Sequence, residues 1–234
     1  MSDWINDRTP TAFAESAIRH TRGARQPPAP WHVVIPVKGG PQAKSRLRAP
    51  DGVDRLALAT ALAYDTVAAT VEAVGPGRVL VVTADPEVDA EVRRLGVTTH
   101  LDPRVGLNPA VTAGIGRQRP GDPVAVLLGD IPALRAADLV SALRAATAHP
   151  LAFVPDAEGT GTVLLATRSL HRLVPRFGAG SASAHEHDGG VCLDLPLPSL
   201  RRDVDDEASL REALLLGVGR HTAALLAHLI TPAG

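Results

Sequence analysis

The residues best suited to chemistry follow the first apolar run of the chain, in the segment VVIPVKGGPQAKSRL (33–47). Three cations, Lys38, Lys44 and Arg46, stand there beside two glycines, and Ser45 lies between the last two cations. Such a loop can bind a polyphosphate, because glycine lets backbone amides approach and the cations supply charge. It has neither the Gly-Lys-Ser/Thr of a P-loop nor three spaced glycines. A solvated surface loop is the alternative for this segment alone.

Acidic residues in two distant segments could bind a metal ion. Asp130 directly follows LLG, whereas Asp203 and Asp205 stand in RRDVDDEASL. Residues i and i+2 of an extended segment project on the same face, so this pair could share one cation. Oxygen ligands of this kind, combined with substrate phosphates, suit Mg²⁺. Alternatively, Asp130 caps the next helix or makes a turn, and Asp206 caps a helix over 207–216. Both interpretations can hold together.

Glycine and hydroxyl residues are concentrated between these acids, in PDAEGTGT (155–162) and FGAGS (177–181). Their backbone amides and hydroxyls are good donors to a carboxylate or a phosphate, although a plain turn is the default interpretation of either segment.

Two further features could be mistaken for catalytic sites. The run HEHD (185–188) contains two histidines at spacing i, i+2, which differs from the helical pair of a zinc site, and the end of a helix is favoured. Cys192 lies in the strand-like run VCLDL and is expected to be a packed small hydrophobic group rather than a nucleophile.

Short apolar runs alternate with helical segments and must position these residues. Strands are predicted at WHVVIPV, RVLVVT, VTTHL, PVAVLLGD, LAFVP and GTVLLAT, and helices over 54–74, 86–95, 108–117, 136–148 and 207–216. This alternation predicts a three-layer α/β fold with a mostly parallel sheet, and an antiparallel excursion within 155–205. Ligands of open α/β sheets bind beyond the carboxyl ends of the strands, and both the loop that contains Lys38, Lys44 and Arg46 and the residue Asp130 follow predicted strands.

Composition excludes several classes of protein. The 234 residues carry 24 Lys+Arg against 25 Asp+Glu, which argues against a nucleic-acid or anionic-membrane binder. A single cysteine excludes an internal disulfide and a cysteine-cluster zinc site. Neither a membrane-spanning run nor a signal peptide is present, so a cytoplasmic location is expected. Residues 1–30 end in RQPPAP and are expected to form a mobile tail before one domain over 31–234.

Five segments, taken in order, resemble the CofC/FbiD guanylyltransferases of coenzyme F420 biosynthesis: VVIPVKGGPQAKSRL, LLGDIP, PDAEGTGTVLLA, FGAGSASAH and DVDDEASL. The similarity extends over about 32–216. It implies a Rossmann-like nucleotidyltransferase fold and an enzyme that transfers GMP from GTP to phosphoenolpyruvate or 2-phospho-L-lactate, with release of pyrophosphate. It also implies that a labile product is handed to the next enzyme of the pathway.

The resemblance assigns roles by position. Residues implied to hold the GTP phosphates are Lys38, Lys44, Ser45 and Arg46. Residues implied to line the guanosine are Thr83, Asp85, Gly106 and Asn108. Those implied to hold the acceptor acid are Thr162, Gly178 and Ser181. Two Mg²⁺ ions are assigned to Asp130, Asp203 and Asp205, and direct catalytic roles to Lys38, Lys44, Arg46 and Asp130.

Two other functions remain alternatives at this point. Another nucleotidyltransferase, acting on a molybdopterin or a sugar phosphate, would share the fold and the metal chemistry. Comparing turnover with different acceptors distinguishes it from the guanylyltransferase. A catalytically inactive nucleotide-binding regulatory protein belongs to a different class, and it predicts GTP binding without turnover.

Overall fold

The structure, a computed structural model, describes residues 31–38, 47–170 and 173–227. The described strands are β1 (His32–Pro36), β2 (Val79–Thr83), β3 (Thr98–Leu101), β4 (Val124–Leu127), β5 (Leu151–Pro155), β6 (Thr162–Thr167) and β7 (Val191–Cys192). The described helices are α1 (Arg55–Val74), α2 (Pro86–Arg94), α3 (Leu107–Ile115), α4 (Ala136–Ala146), α5 (Ser181–His187), α6 (Pro198–Arg201), α7 (Glu207–Leu216) and α8 (Arg220–Leu225). The predicted tail, residues 1–30, lies outside the described residues.

The seven strands form one sheet in the order β3-β2-β1-β4-β6-β5-β7. Neighbouring strands pair in parallel except at β6, which is antiparallel to both β4 and β5. The prediction of a mostly parallel sheet with an antiparallel excursion is therefore confirmed. Because β6 runs in the opposite direction, its first residues lie at the same edge of the sheet as the last residues of β1, β2 and β4.

Helices cover both faces of the sheet, so that β1, β2, β4, β5 and β6 are buried on both sides, whereas the edge strands β3 and β7 are more exposed. In β1, Val33 and Ile35 belong to a core shared with α1, α2 and α4, whereas Val34 belongs to a core shared with α3 and α5. This alternation explains why the strands are continuous apolar runs in the sequence. A third cluster joins α7 and α8 to the start of α1 and includes Val204. The predicted three layers are present.

Aspartates begin three of the described helices. The side chain of Asp54 accepts from Ala57 N at the start of α1, and that of Asp85 accepts from two amides of α2. Asp206 accepts from Ser209 N in a capping box at the start of α7. A carboxylate at this position satisfies free backbone N–H groups and complements the helix dipole. The predicted capping role of Asp206 is confirmed.

Helix α1 is, among the described residues, the one segment whose length and composition would allow it to cross a membrane. Of the apolar 18-residue stretch in this helix, 56% is buried inside the protein, and Leu58, Leu62 and Val67 pack in the core. Burial of this kind is the property of a core helix, and α1 is one here.

Cys192 departs from its predicted packing. It lies on the two-residue edge strand β7, and its side chain is exposed. The prediction of a packed residue is wrong because a strand this short at the sheet edge leaves its side chains uncovered. Partial desolvation and the charge of Asp194 raise the pKa of the thiol, which disfavours the nucleophilic thiolate.

Candidate active site

The carboxyl ends of β1 and β4 meet at the centre of the site. Lys38 lies two residues beyond β1 and is exposed, and Asp130 lies three residues beyond β4. The chain after β4 passes so close to β1 that a Cβ at Gly129 would lie 2.8 Å from the carbonyl oxygen of Pro36. Glycine at this position therefore lets Asp130 lie beside the end of β1.

Three carboxylates from two distant segments come together at this edge and form the carboxylate cluster: Asp130, Asp203 and Asp205. One oxygen from each lies within 4.8 Å of the others. A backbone hydrogen bond from Val204 N to the carbonyl oxygen of Asp130 joins the two segments over 3.0 Å. The Val204 side chain is fully buried, whereas the flanking aspartates are half-buried or exposed. Asp203 and Asp205 thus project on one face of the segment and Val204 on the other, as their i, i+2 spacing predicts.

The chemistry of this donor set fits a hard divalent cation. The cluster offers carboxylate oxygens from all three residues. Mg²⁺ prefers oxygen ligands and takes a few carboxylates together with water and substrate phosphates. The residues present therefore fit the metal that the sequence predicts, and the role of each aspartate as a ligand stays a prediction.

Two neighbouring arginines connect the carboxylate cluster to the turn between β5 and β6. Arg202 bonds Glu158 at 2.5 Å and Glu212 at 2.7 Å, and Arg201 donates twice to the carbonyl oxygen of Asp156, at 3.2 and 3.0 Å. Burial alone would lower the pKa of Arg202, but its hydrogen bond and ion pair with Glu158, together with the charges of Glu212 and Asp203, outweigh burial and raise it. The segment before Asp203 is thereby held against this turn.

Thr162, the first residue of β6, lies at the same edge as Asp130. The pairing of β4 with β6 continues beyond β4 through a bond from Leu128 N to the carbonyl oxygen of Val163, at 3.0 Å. In an antiparallel pair this register puts Thr162 level with Gly129. The tertiary structure therefore brings a predicted acceptor residue next to a predicted metal ligand.

The Thr162 hydroxyl is bonded to a histidine, His185, that was not among the predicted site residues. His185 Nδ1 lies 2.9 Å from Thr162 Oγ1, and its Nε2 accepts from the backbone N–H of Arg176 at 3.2 Å. The ring packs edge-on against Phe177 and is 1% exposed. Burial lowers its pKa to about 4, although the charge of Asp188 opposes that shift.

The predicted helix end at 185–188 is confirmed, because α5 ends at His187. The sequence did contain a signal for His185. It stands four residues after Ser181, and residues at i and i+4 of a helix lie on the same face. We call Thr162, Gly178, Ser181 and His185 together the acceptor side, after the role that is predicted for the first three.

Gly178 and Ser181 form a turn that is tied to α3. Gly178 has φ +127°, a conformation that side chains rarely adopt, and its carbonyl oxygen accepts from Ser181 N at 3.1 Å. The Asn108 side chain donates to Phe177 O at 3.1 Å and accepts from Phe177 N at 2.8 Å. Asn108 therefore holds the acceptor side, and its predicted contact with the guanosine would compete with this pair.

The remaining predicted nucleotide residues occupy the ends of β2 and β3. Thr83 ends β2, and its hydroxyl accepts from Asp85 N at 3.1 Å, while Gly106 caps the start of α3 beyond β3. Lys38 and Asp85 also line an open groove with Tyr64 and His221. These residues share the carboxyl edge of the sheet with the carboxylate cluster. Lys44, Ser45 and Arg46 lie outside the described residues.

Comparison with known proteins gives one consistent result. Residues 56–188 match the family model of the MobA-like NTP transferase domain. The chain is 51% identical to the phosphoenolpyruvate guanylyltransferase of Geodermatophilus obscurus, with 87% of this chain and 97% of that protein covered. It is 46% identical to the phosphoenolpyruvate guanylyltransferase of Streptomyces scabiei, with 86% and 98% covered.

Among solved structures, a putative nucleotide-diphospho-sugar transferase from Desulfovibrio desulfuricans G20 has a similar fold. The TM-score is 0.51 at 15% identity, over 80% of this chain and 96% of that one. This likeness concerns the fold alone. The family-model match includes Asp130 and the whole acceptor side, but it ends before Asp203 and Asp205.

Proposed function

Because the chain belongs to the family of phosphoenolpyruvate guanylyltransferases, with a MobA-like NTP transferase domain, we propose that it transfers GMP from GTP to phosphoenolpyruvate, or to 2-phospho-L-lactate, and releases pyrophosphate. It is a nucleotidyltransferase. The observation that carries the proposal is the carboxylate cluster, which lies at the same sheet edge as Thr162. A triphosphate held by one and an acid held by the other would be neighbours.

The reaction joins a phosphate oxygen of the acceptor to the α-phosphorus of GTP, and the bond from that phosphorus to the pyrophosphate oxygen breaks. The acceptor phosphate is largely ionised at neutral pH, so the attack needs no strong general base. His185 is consistent with this, because its low pKa and two hydrogen bonds leave it no free basic nitrogen. Positioning and neutralisation of charge then supply the rate enhancement.

Residues at the carboxyl edge of the sheet have different roles in positioning the substrates and neutralising their charge. Lys38, with Lys44, Ser45 and Arg46, binds the phosphates and compensates their charge. Mg²⁺ held by Asp130, Asp203 and Asp205 would neutralise charge on the triphosphate oxygens when bound. Thr162, Ser181 and the backbone at Gly178 bind the carboxylate or phosphate of the acceptor.

The nucleotide base belongs at the ends of β2 and β3 in this proposal. Thr83, Asp85, Gly106 and Asn108 lie there, next to the phosphate-binding edge. Backbone groups make most contacts to the base. The product is a labile intermediate of coenzyme F420 biosynthesis, made in the cytoplasm and passed to the next enzyme of the pathway.

A single assay tests the proposal. The full chain is incubated with GTP, Mg²⁺ and, in separate reactions, phosphoenolpyruvate, 2-phospho-L-lactate or 3-phosphoglycerate, and pyrophosphate is measured. We expect release with phosphoenolpyruvate or phospholactate, and none with GTP alone or with a metal chelator. Absence of pyrophosphate with every acceptor would contradict the proposal. Further reactions contain a sugar phosphate or a molybdopterin as the acceptor, and turnover of either would assign one of the alternatives. Replacing GTP by ATP or CTP measures the selection of the base.

A further inference from the structure

The hydrogen bonds of His185 determine which of its nitrogens carries the proton. A backbone N–H can only donate, so the bond from Arg176 N requires an unprotonated Nε2. The single proton of the neutral ring must then be on Nδ1, 2.9 Å from Thr162 Oγ1. The Nδ1–H therefore donates to the hydroxyl oxygen, which accepts.

This direction has a consequence for Thr162. A hydroxyl has one proton, and the oxygen of Thr162 already receives a hydrogen from His185. The hydroxyl proton is accordingly turned away from the ring and is available to another acceptor. We propose that His185 is a positioning residue of the transfer reaction: it orients the Thr162 hydroxyl as a donor to the carboxylate or phosphate of the acceptor acid. The proposal rests on the proposed function, in which Thr162 contacts that acid.

The same ring also joins the other parts of the acceptor side. Its Nε2 holds the backbone at Arg176, two residues before Gly178, and its own helix carries Ser181 one turn earlier. Strand β6, the 176–180 segment and α5 are thus held by one side chain. Loss of the ring should therefore affect binding of the acceptor acid and leave the GTP side unchanged.

The surroundings of His185 keep the ring neutral under assay conditions. Phe153 and Phe177 pack against it, and the charged groups nearest to it, Arg176 and Asp188, bond each other at 2.5 Å. A protonated ring would offer a second N–H to the Arg176 amide, which cannot accept it. The ring therefore keeps Nδ1 as its donor and Nε2 as its acceptor throughout the neutral pH range.

Steady-state kinetics of four variants test the proposal in the full-length protein. His185→Phe removes both ring bonds, and His185→Gln keeps an acceptor for Arg176 N–H but loses the donor to Thr162. We expect both to raise the KM for the acceptor acid roughly tenfold to a hundredfold, the value of a hydrogen bond to a charged group, with the KM for GTP within about twofold. Thr162→Val should give the same increase, and Thr162→Ser should restore most of the affinity.

A double variant isolates the coupling. If His185 acts through the Thr162 hydroxyl, adding His185→Gln, which keeps the acceptor for Arg176 N–H, to Thr162→Val should raise the acceptor KM no further. Thr167→Val is the matched control, since it removes a buried hydroxyl at the other end of β6, which bonds backbone carbonyls away from the site. Additive losses in the double variant, or a parallel rise in the KM for GTP, would overturn the proposal.

Nitrogen NMR of the imidazole gives a readout that does not depend on turnover. We expect the His185 signals, assigned by their absence in His185→Phe, to report the neutral Nδ1–H tautomer at pH 7.5. An Nε2–H tautomer or an imidazolium would overturn the inference even in an active enzyme. An enzyme inactive with every acceptor but with the Nδ1–H tautomer would refute the proposed function and with it the role of the hydroxyl, while the geometry of His185 would stand.

Discussion

The carboxylate cluster and the acceptor side lie at one edge of the sheet, but they are built from different kinds of groups. The cluster consists of half-buried or exposed charges held by a backbone bond between Val204 and Asp130. The acceptor side consists of neutral, buried side chains, with Thr162, Ser181 and His185 each 3% exposed or less. A carboxylate as exposed as that of Asp205 can stay solvated until a cation arrives, whereas orienting an organic acid requires hydrogen-bond donors of fixed direction.

This difference predicts that substitutions in the cluster lower turnover strongly at little cost in stability, and that substitutions on the acceptor side change the kinetic constants for the acceptor acid but not those for GTP. Four experiments test the contrast.

The largest effect is expected at Asp203. Asp203→Asn keeps the shape of the side chain but removes a charge from the cluster, so we expect turnover to fall by roughly two to three orders of magnitude. The melting temperature should change little, because the side chain is only half-buried. Pyrophosphate release at saturating Mg²⁺ and thermal unfolding measure the two quantities. Turnover equal to that of the wild type would contradict the role of Asp203 as a metal ligand and leave it a structural role.

A smaller and more selective effect is expected at Asn108. Asn108→Ala removes both bonds to the backbone of Phe177, so we expect kcat/KM for the acceptor to fall about tenfold. Gln118→Ala is a matched control, because that amide bonds a carbonyl of α3 away from the acceptor side. A rise in the KM for GTP alone would instead support the predicted guanosine contact of Asn108.

Asp206, the neighbour of the cluster, should behave in the opposite way to Asp203. Asp206→Ala removes the cap of α7 and should cost about 1 kcal/mol of stability, with turnover at neutral pH unchanged. Hydrogen bonds from Ser209 hold the pKa of Asp206 below its ordinary value. Its contribution is therefore present above the unfolded-state pKa of about 3.9 and is lost as the pH falls through the lower folded-state pKa.

Urea denaturation of the wild type and Asp206→Ala at neutral pH and near pH 3 measures this dependence. The difference in stability should shrink in acid. A difference that stays constant, or a loss of turnover with full stability, would place Asp206 in the cluster instead of at the cap.

The smallest effect is expected from the N-terminal tail. Deletion of residues 1–28 should leave turnover and the KM of both substrates unchanged, because the predicted domain begins at Trp31. Loss of activity on deletion would mean that the tail contributes to the site, as a third region beside the carboxylate cluster and the acceptor side.

Much of this architecture could be predicted from local patterns. Continuous apolar runs predicted the strands, and Asp206 before a helical segment predicted a cap. The pairing of Asp203 with Asp205 followed from the period of an extended chain. These predictions succeeded because each depends on residues within one or two turns of each other.

The acceptor side was harder to predict because its contacts join residues far apart in the chain. Asn108 could be predicted to lie at the carboxyl edge, but its bonds to Phe177 depend on how α3 packs against the 173–180 segment. The HEHD run could be recognised as the end of a helix, but not as the place where His185 meets Thr162. The exposure of Cys192 could not be predicted, because a strand-like sequence pattern shows neither how long the strand is nor whether it lies at the sheet edge.

By itself, the sequence determined the alternation of strands and helices, the helix caps and the residue types that face the carboxyl edge, since all of these follow from local periodicity and backbone preference. Only the tertiary structure decided that Val204 bonds Asp130, that β6 pairs with β4 in the register that brings Thr162 to the same edge, and that the buried His185 holds the Thr162 hydroxyl. Burial and hydrogen-bond direction are properties of the packed whole, because each depends on which distant segments exclude water from a polar group.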